Sequence, residues 1–103
     1  MKLLIVLYLK EELSQVRALL KKAGASVVTE IPASGIKLNQ HAKLSSSWIG
    51  HAHEEADVMV AISFTSERTA HEVIAQIDIE NSKRSDFPIH GFIMCVEEMT
   101  QIG

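Results

Sequence analysis

Residues 2–9 (KLLIVLYL) are apolar at nearly every position and rich in branched side chains. A strand covered on both faces reads this way. Glu11 and Glu12 then open a helix, where carboxylates favour the positive end of its dipole. Leu13, Val16, Leu20 and Ala23 recur at helical spacing, Lys21 and Lys22 occupy the last turn, and Gly24 marks the stop. Residues 26–31 (SVVTEI) are β-branched and short, a second strand that Pro32 and Gly35 end. Residues 57–64 (DVMVAISF) alternate, with Val58, Val60, Ile62 and Phe64 on one face and Met59 and Ala61 on the other. That second face is not strongly polar and is expected to be covered by another subunit. Thr65 or Ser66 caps a second helix, Glu67 sits in its first turn, and Ala70, Val73, Ile74 and Ile77 form its buried stripe. Residues 80–86 make a polar turn, 88–96 a last strand and 97–103 a tail.

The order is βαβ, a long connection, then βαβ. In about 100 residues this predicts one α+β domain over 1–103 with the ferredoxin-like βαββαβ arrangement, a four-stranded antiparallel sheet with both helices on one face. The other face of such a sheet has no cover within the chain. Met59, Ala61 and the two-sided apolar first strand predict that a homo-oligomer supplies it by packing sheet faces together.

The net charge of −3 offers no basic field to nucleic acid. Lys21-Lys22 and Lys83-Arg84 read as solvated faces. The one cysteine, Cys95, lies in the apolar run 92–96 and is expected to be a buried, inert thiol. The apolar stretch 3–9 is too short to span a bilayer, and Lys10-Glu11-Glu12 follows it with no small-residue cleavage site. A cytoplasmic chain without membrane insertion is the expectation.

Candidate chemistry concentrates in residues 35–55, which have the composition of a mobile loop and hold His41, His51, His53 and the only tryptophan, Trp48. In an extended segment the imidazoles of His51 and His53 point to one side, and Glu54, Glu55 and Asp57 follow directly. Imidazole with carboxylate companions is a frequent ligand set for zinc or copper. His41, His51, His53 and Glu54 are therefore candidate metal ligands, with a solvated polar loop as the competing reading. Trp48 with Ile49 is a candidate anchor on a partner surface, since an amphipathic ring on a loop either docks or packs back on its own sheet. His71 lies off the helical stripe and reads as a surface histidine. No Ser-His-Asp arrangement is identifiable by spacing, so no catalytic residue is expected. Small acylphosphatases share this element order but need an arginine after the first strand; Lys10-Glu11-Glu12 stands there instead.

The start MKLLIVLYL, the helix ending KKAGA, the segment SVVTEIPASG before the long loop and the close FIMCVEEMTQIG resemble the PII signalling proteins over the length of the chain. The resemblance implies a homotrimer with sheets facing inward, in which loop 35–55 protrudes toward a target such as a membrane transporter. It implies a non-enzymatic regulator sensing a small effector or metal ion. The alternative it implies is a divalent-metal-binding or tolerance protein of similar trimeric fold. An amino-acid-binding module of the ACT type is a third, weaker reading. PII proteins that bind ATP carry a glycine-rich loop between the second helix and the last strand, where backbone N–H groups approach phosphate. The equivalent residues 81–91 hold one glycine, the tail has no arginine, and the long loop has no tyrosine. Weak or absent ATP binding is predicted, and Lys83, Arg84 and His90, beside the implied inter-subunit cleft, are the candidate residues for another effector.

Overall fold

The structure, a computed structural model, describes residues 1–38, 55–84 and 87–101. Strand β1 (Lys2–Leu9) leads through a short 3-10 turn (Lys10–Glu12) into helix α1 (Leu13–Ala23). Strands β2 (Thr29–Ile36) and β3 (Glu55–Thr65), helix α2 (Glu67–Asn81) and strand β4 (His90–Cys95) follow. The sheet order is β2-β3-β1-β4 with every neighbouring pair antiparallel. This is the ferredoxin-like α+β fold that the element order predicts.

Local signals work as chemistry requires at the helix ends. Gly24 takes φ 102°, and its N–H donates to the Lys21 carbonyl while the Ala25 N–H donates to Leu20. That pair of bonds closes α1, and only glycine adopts the left-handed turn cheaply. Ser66 caps α2 by accepting from the Thr69 N–H at 3.2 Å.

The helices cover one face of the sheet. Val16 and Leu20 of α1 and Val73 and Ile77 of α2 form one buried cluster with Leu4, Val6 and Tyr8 of β1, and Ala70 of α2 is buried as well. Leu4, Val6, Val16 and Val73 are almost wholly enclosed. Each such side chain contributes roughly 1.5–3 kcal/mol relative to exposure. The contact between α2 and β4 is close: a Cβ on Gly91 would lie 2.8 Å from the Cδ1 atoms of both Ile74 and Ile77.

Three expectations are corrected here. Met59 and Ala61 belong to the helix-covered core, 7% and 2% exposed, because they pair across β1 with Tyr8 and Val6. The open face instead carries Val58, Val60, Ile62 and Phe64, since paired residues of antiparallel strands share a face. Strand β2 does not end at Ile31 but runs through Pro32 and Gly35 to Ile36. It is an edge strand, which tolerates a proline because its outer side donates no ladder bonds. Cys95 is exposed, not buried, and its Sγ accepts from the Lys2 ammonium at 3.2 Å. The contact raises the Lys2 pKa from its ordinary value, chiefly through that hydrogen bond.

Candidate functional site: the loop end of the sheet and its open face

Two features could carry function: the end of the molecule where the long β2–β3 connection is rooted, and the face of the sheet without helices. β1 runs toward that end, where Leu9 pairs with Val58, and Ile36 pairs with Glu55 just beyond. The start of α1, the last turn of α2 and the turn that leads to His90 return to the same end. The end of β2 and the start of β3 therefore lie at the same end of the sheet as Lys10–Glu12, Lys83, Arg84 and His90.

Arg84 organises this end. Its guanidinium pairs with Glu12 at the start of α1 and with Glu80 at 3.2 Å, and it donates to Gln15 at 3.3 Å and to the Phe87 carbonyl at 3.4 Å. The Arg84 and Glu12 side chains are only 16% and 13% exposed. Phe87 itself takes φ 52°, a left-handed conformation uncommon for a side chain of its size. One turn back, the Asn81 amide brackets Ile89, donating to its carbonyl and accepting from its N–H, both at 2.8 Å. The turn is thus tied down by its own side chains. One guanidinium set against two carboxylates leaves this cluster net negative, so Arg84 is poorly placed to attract phosphate. Lys83 is exposed beside it.

His90 begins β4 and pairs with Leu7. It is half-buried, and burial lowers its pKa from the ordinary imidazole value. Register places it on the open face, with Phe92 and Met94 of the same strand. Leu3, Ile5, Leu7 and Leu9 of β1 lie beside them, and Val58, Val60, Ile62 and Phe64 of β3 beyond. Thr29, Ile31, Ala33 and Gly35 of β2 complete the face. Phe64 is 57% and Met94 52% exposed. No Asp, Glu, Lys or Arg occupies any of these paired positions, and His90 is the one titratable side chain among them.

The predicted site residues thus divide. Lys83, Arg84 and His90 are brought to one end, with Arg84 engaged by carboxylates and His90 turned to the open face. His41, Trp48, Ile49, His51, His53 and Glu54 lie outside the described residues. Among the described residues, no group of three or more His, Cys, Asp or Glu side chains is placed to hold a metal ion. His71 is on the surface, 3.8 Å from Glu67 one helical turn away. Sequence reasoning, which read Lys83-Arg84 as a solvated face, missed the Arg84 network; the i,i+4 spacing of Glu80 and Arg84 could have found that half of it, but nothing local points to Glu12. It also missed the Tyr8–Glu30–Arg17 cluster, in which Arg17 donates twice to Glu30, at 2.8 and 2.6 Å. That bond holds the Glu30 carboxyl below the usual carboxylate range and ties edge strand β2 to α1.

Neither protein-family models nor curated protein sequences give a match to this chain. Solved structures do. A PII-like signalling protein of Thermus thermophilus superposes with a TM-score of 0.64 at 15% identity, covering 90% of this chain and 83% of that one. The apo form of CPII from Thiomonas intermedia, a nitrogen regulatory PII-like protein, superposes with a TM-score of 0.65 at 14% identity, covering 90% and 85%. The chain has the fold of the PII-like proteins. At this identity the likeness is one of backbone. The sequence resemblance set out above points the same way, from different observations. Among the described residues, no helix is long and apolar enough to cross a membrane.

Proposed function

We propose that the chain is a non-enzymatic, cytoplasmic regulator of the PII-like kind, assembled as a homotrimer through its open sheet face. It senses a small effector or a divalent metal and presents residues 35–55 to a target protein such as a transporter. The observation that carries this reading is the pairing of a PII-like backbone with an uncharged, apolar open face. Depletion of charge at the centre of a surface is the mark of an interface, and obligate ones resemble a domain core cut in half. A face repeated on every copy is answered most economically by the same face on another copy.

The effector site belongs at the loop end, where Lys83, Arg84 and His90 border the roots of the connection. Charge there disfavours nucleotide, and ATP is expected to bind with a dissociation constant above about 10 µM, near −7 kcal/mol. The second reading, a metal-binding protein proper, rests on His51-Ala52-His53 with His41 and Glu54, and takes zinc or copper before magnesium because nitrogen ligands disfavour the hard ion. Backbone hydrogen exchange with and without ATP and Zn²⁺ tests the proposal. An effector or metal should change protection across 35–55 and leave the central strands β1 and β3 unchanged. Loss of the zinc response in the double variant His51→Ala, His53→Ala assigns the metal to the loop. A loop indifferent to every effector, metal and candidate target would refute the sensing function.

A further inference from the structure

We propose that Lys2 and Cys95 are a redox-dependent cross-linking pair: hydrogen peroxide oxidises the Cys95 thiol, and the Lys2 amine then displaces the oxygen from sulfur and joins β1 to β4. The chemistry needs an accessible thiol and an amine held against it. Two observations place them so. The strand register sets Lys2 directly opposite Cys95 in the antiparallel β1–β4 ladder, where facing Cβ atoms stand about 4.5–5.5 Å apart. The side chains then converge, with Lys2 Nζ 3.2 Å from Cys95 Sγ. Cys95 is exposed, so a small oxidant reaches it without any opening of the fold.

The pair lies apart from both features described above. By alternation Lys2 shares a sheet face with Leu4 and Val6, and Cys95 with Ile93 and Gly91, which is the face the helices cover. Lys2 also pairs with Thr65 at the close of β3, so this is the end of the sheet opposite the one that carries Leu9, Val58 and His90. A second copy seated on the open face leaves both atoms accessible.

The steps balance. Sγ attacks one oxygen of the peroxide, an S–O bond forms, and the O–O bond breaks. The departing hydroxide takes the thiol proton as water, and sulfur has given two electrons to the peroxide. The product is a sulfenic acid, a species that condenses with a nearby thiol or nitrogen. The chain has no second cysteine, and Lys2 Nζ is already in contact with the sulfur. The amine lone pair attacks sulfur, the S–N bond forms as the S–O bond breaks, and the hydroxide leaves as water with an N–H proton. One thiol, one amine and one peroxide thus give one sulfenamide and two waters. Two molecules of a small thiol reverse the link, restoring amine and thiol and leaving as a disulfide.

Only the neutral amine attacks, and contact with Cys95 raises the Lys2 pKa, chiefly through the hydrogen bond to sulfur. At the ordinary lysine pKa of about 10.4, roughly one amine in 2,500 is neutral at pH 7, so the actual fraction is smaller still. Proximity outweighs that scarcity. Reacting atoms about 3–3.5 Å apart are in near-attack geometry, and groups held so reach effective molarities of about 10⁵ M or more. The separation of 3.2 Å lies within that range.

Peroxide treatment of the full chain, followed by dimedone to trap any sulfenic acid and by peptide mass mapping, provides the test. The wild type should yield a peptide joining residues 2 and 95, lighter by two hydrogens than its reduced parts and released by dithiothreitol. Lys2→Arg keeps a cation beside the sulfur but removes the nucleophilic amine, so its Cys95 should carry dimedone and no joined peptide should form. Both side chains lie at the surface, and circular dichroism verifies that the variant is folded. Dimedone on Cys95 of the wild type to the same extent as in Lys2→Arg overturns the proposal. A loss of two hydrogens that persists in Lys2→Arg overturns the role of Lys2, and a joined peptide that retains the oxygen overturns the displacement step.

Discussion

Val60 and Ala61 are neighbours in sequence and point to opposite faces of β3, so a charge at each interrogates a different packing layer. Ala61 is 2% exposed and lies in the core beside Val6 of β1. Its partner on β2 is Glu30, whose carboxylate already takes both hydrogen bonds that Arg17 offers. Ala61→Asp buries an unpaired carboxylate next to a like charge, at a cost of about 3–5 kcal/mol. A domain of this size has roughly 5–15 kcal/mol in total. The variant should therefore be largely unfolded or melt tens of degrees lower, at about 4–8 °C per kcal/mol. Val60, between Leu7 and Ile31 on the open face, is only half-buried within one chain. Val60→Asp should cost the isolated subunit about 1 kcal/mol of lost apolar burial, yet place a charge in the middle of the proposed interface and prevent assembly. Circular dichroism melts with analytical ultracentrifugation separate the two: Ala61→Asp loses the fold, Val60→Asp keeps it as a monomer. If Ala61→Asp folds and merely dissociates, or if Val60→Asp assembles like the wild type, the assignment of faces or of the interface is wrong.

Arg84→Met removes the cation between Glu12 and Glu80 and leaves a mostly buried carboxylate without its partner, so urea unfolding should show a loss of roughly 2–4 kcal/mol, below the full cost of a completely buried pair. A loss no larger than that of an exposed ion pair, about 0.5 kcal/mol, would mean that the network only decorates the surface. Gly91→Ala introduces a methyl 2.8 Å from Ile74 and Ile77, and the overpacking should destabilise by about 1–3 kcal/mol in the same assay. No change in midpoint would show that α2 shifts freely on the sheet.

Much of this molecule is written in local pattern. Helix periodicity, the Gly24 stop, the Ser66 cap and the βαβ order needed no tertiary information, because each reflects contacts or dihedral preferences within a few residues. The resemblance to PII proteins was carried by short sequence segments, such as the close FIMCVEEMTQIG, and the backbone agrees with it. What the alternation of β3 did not reveal is which of its two faces meets the helices. The bulkier set, Val58, Val60, Ile62 and Phe64, looks like core by hydrophobicity alone. Yet helices lying close to a sheet need small residues beneath them, and Ala61 and Ser63 provide that space, with the Ser63 hydroxyl satisfied by the Val27 carbonyl at 2.8 Å. Cys95 misled for a related reason: an apolar neighbourhood in sequence says nothing about reaching the end of a short edge strand. Nor does spacing alone join Glu12, before the first helix, to Arg84, after the second. Periodicity determined the elements, their order and the existence of two apolar sheet faces. Only the antiparallel register, set by how α1 and α2 settle on the sheet, decided which face became the core and which was left, with His90 upon it, to face outward.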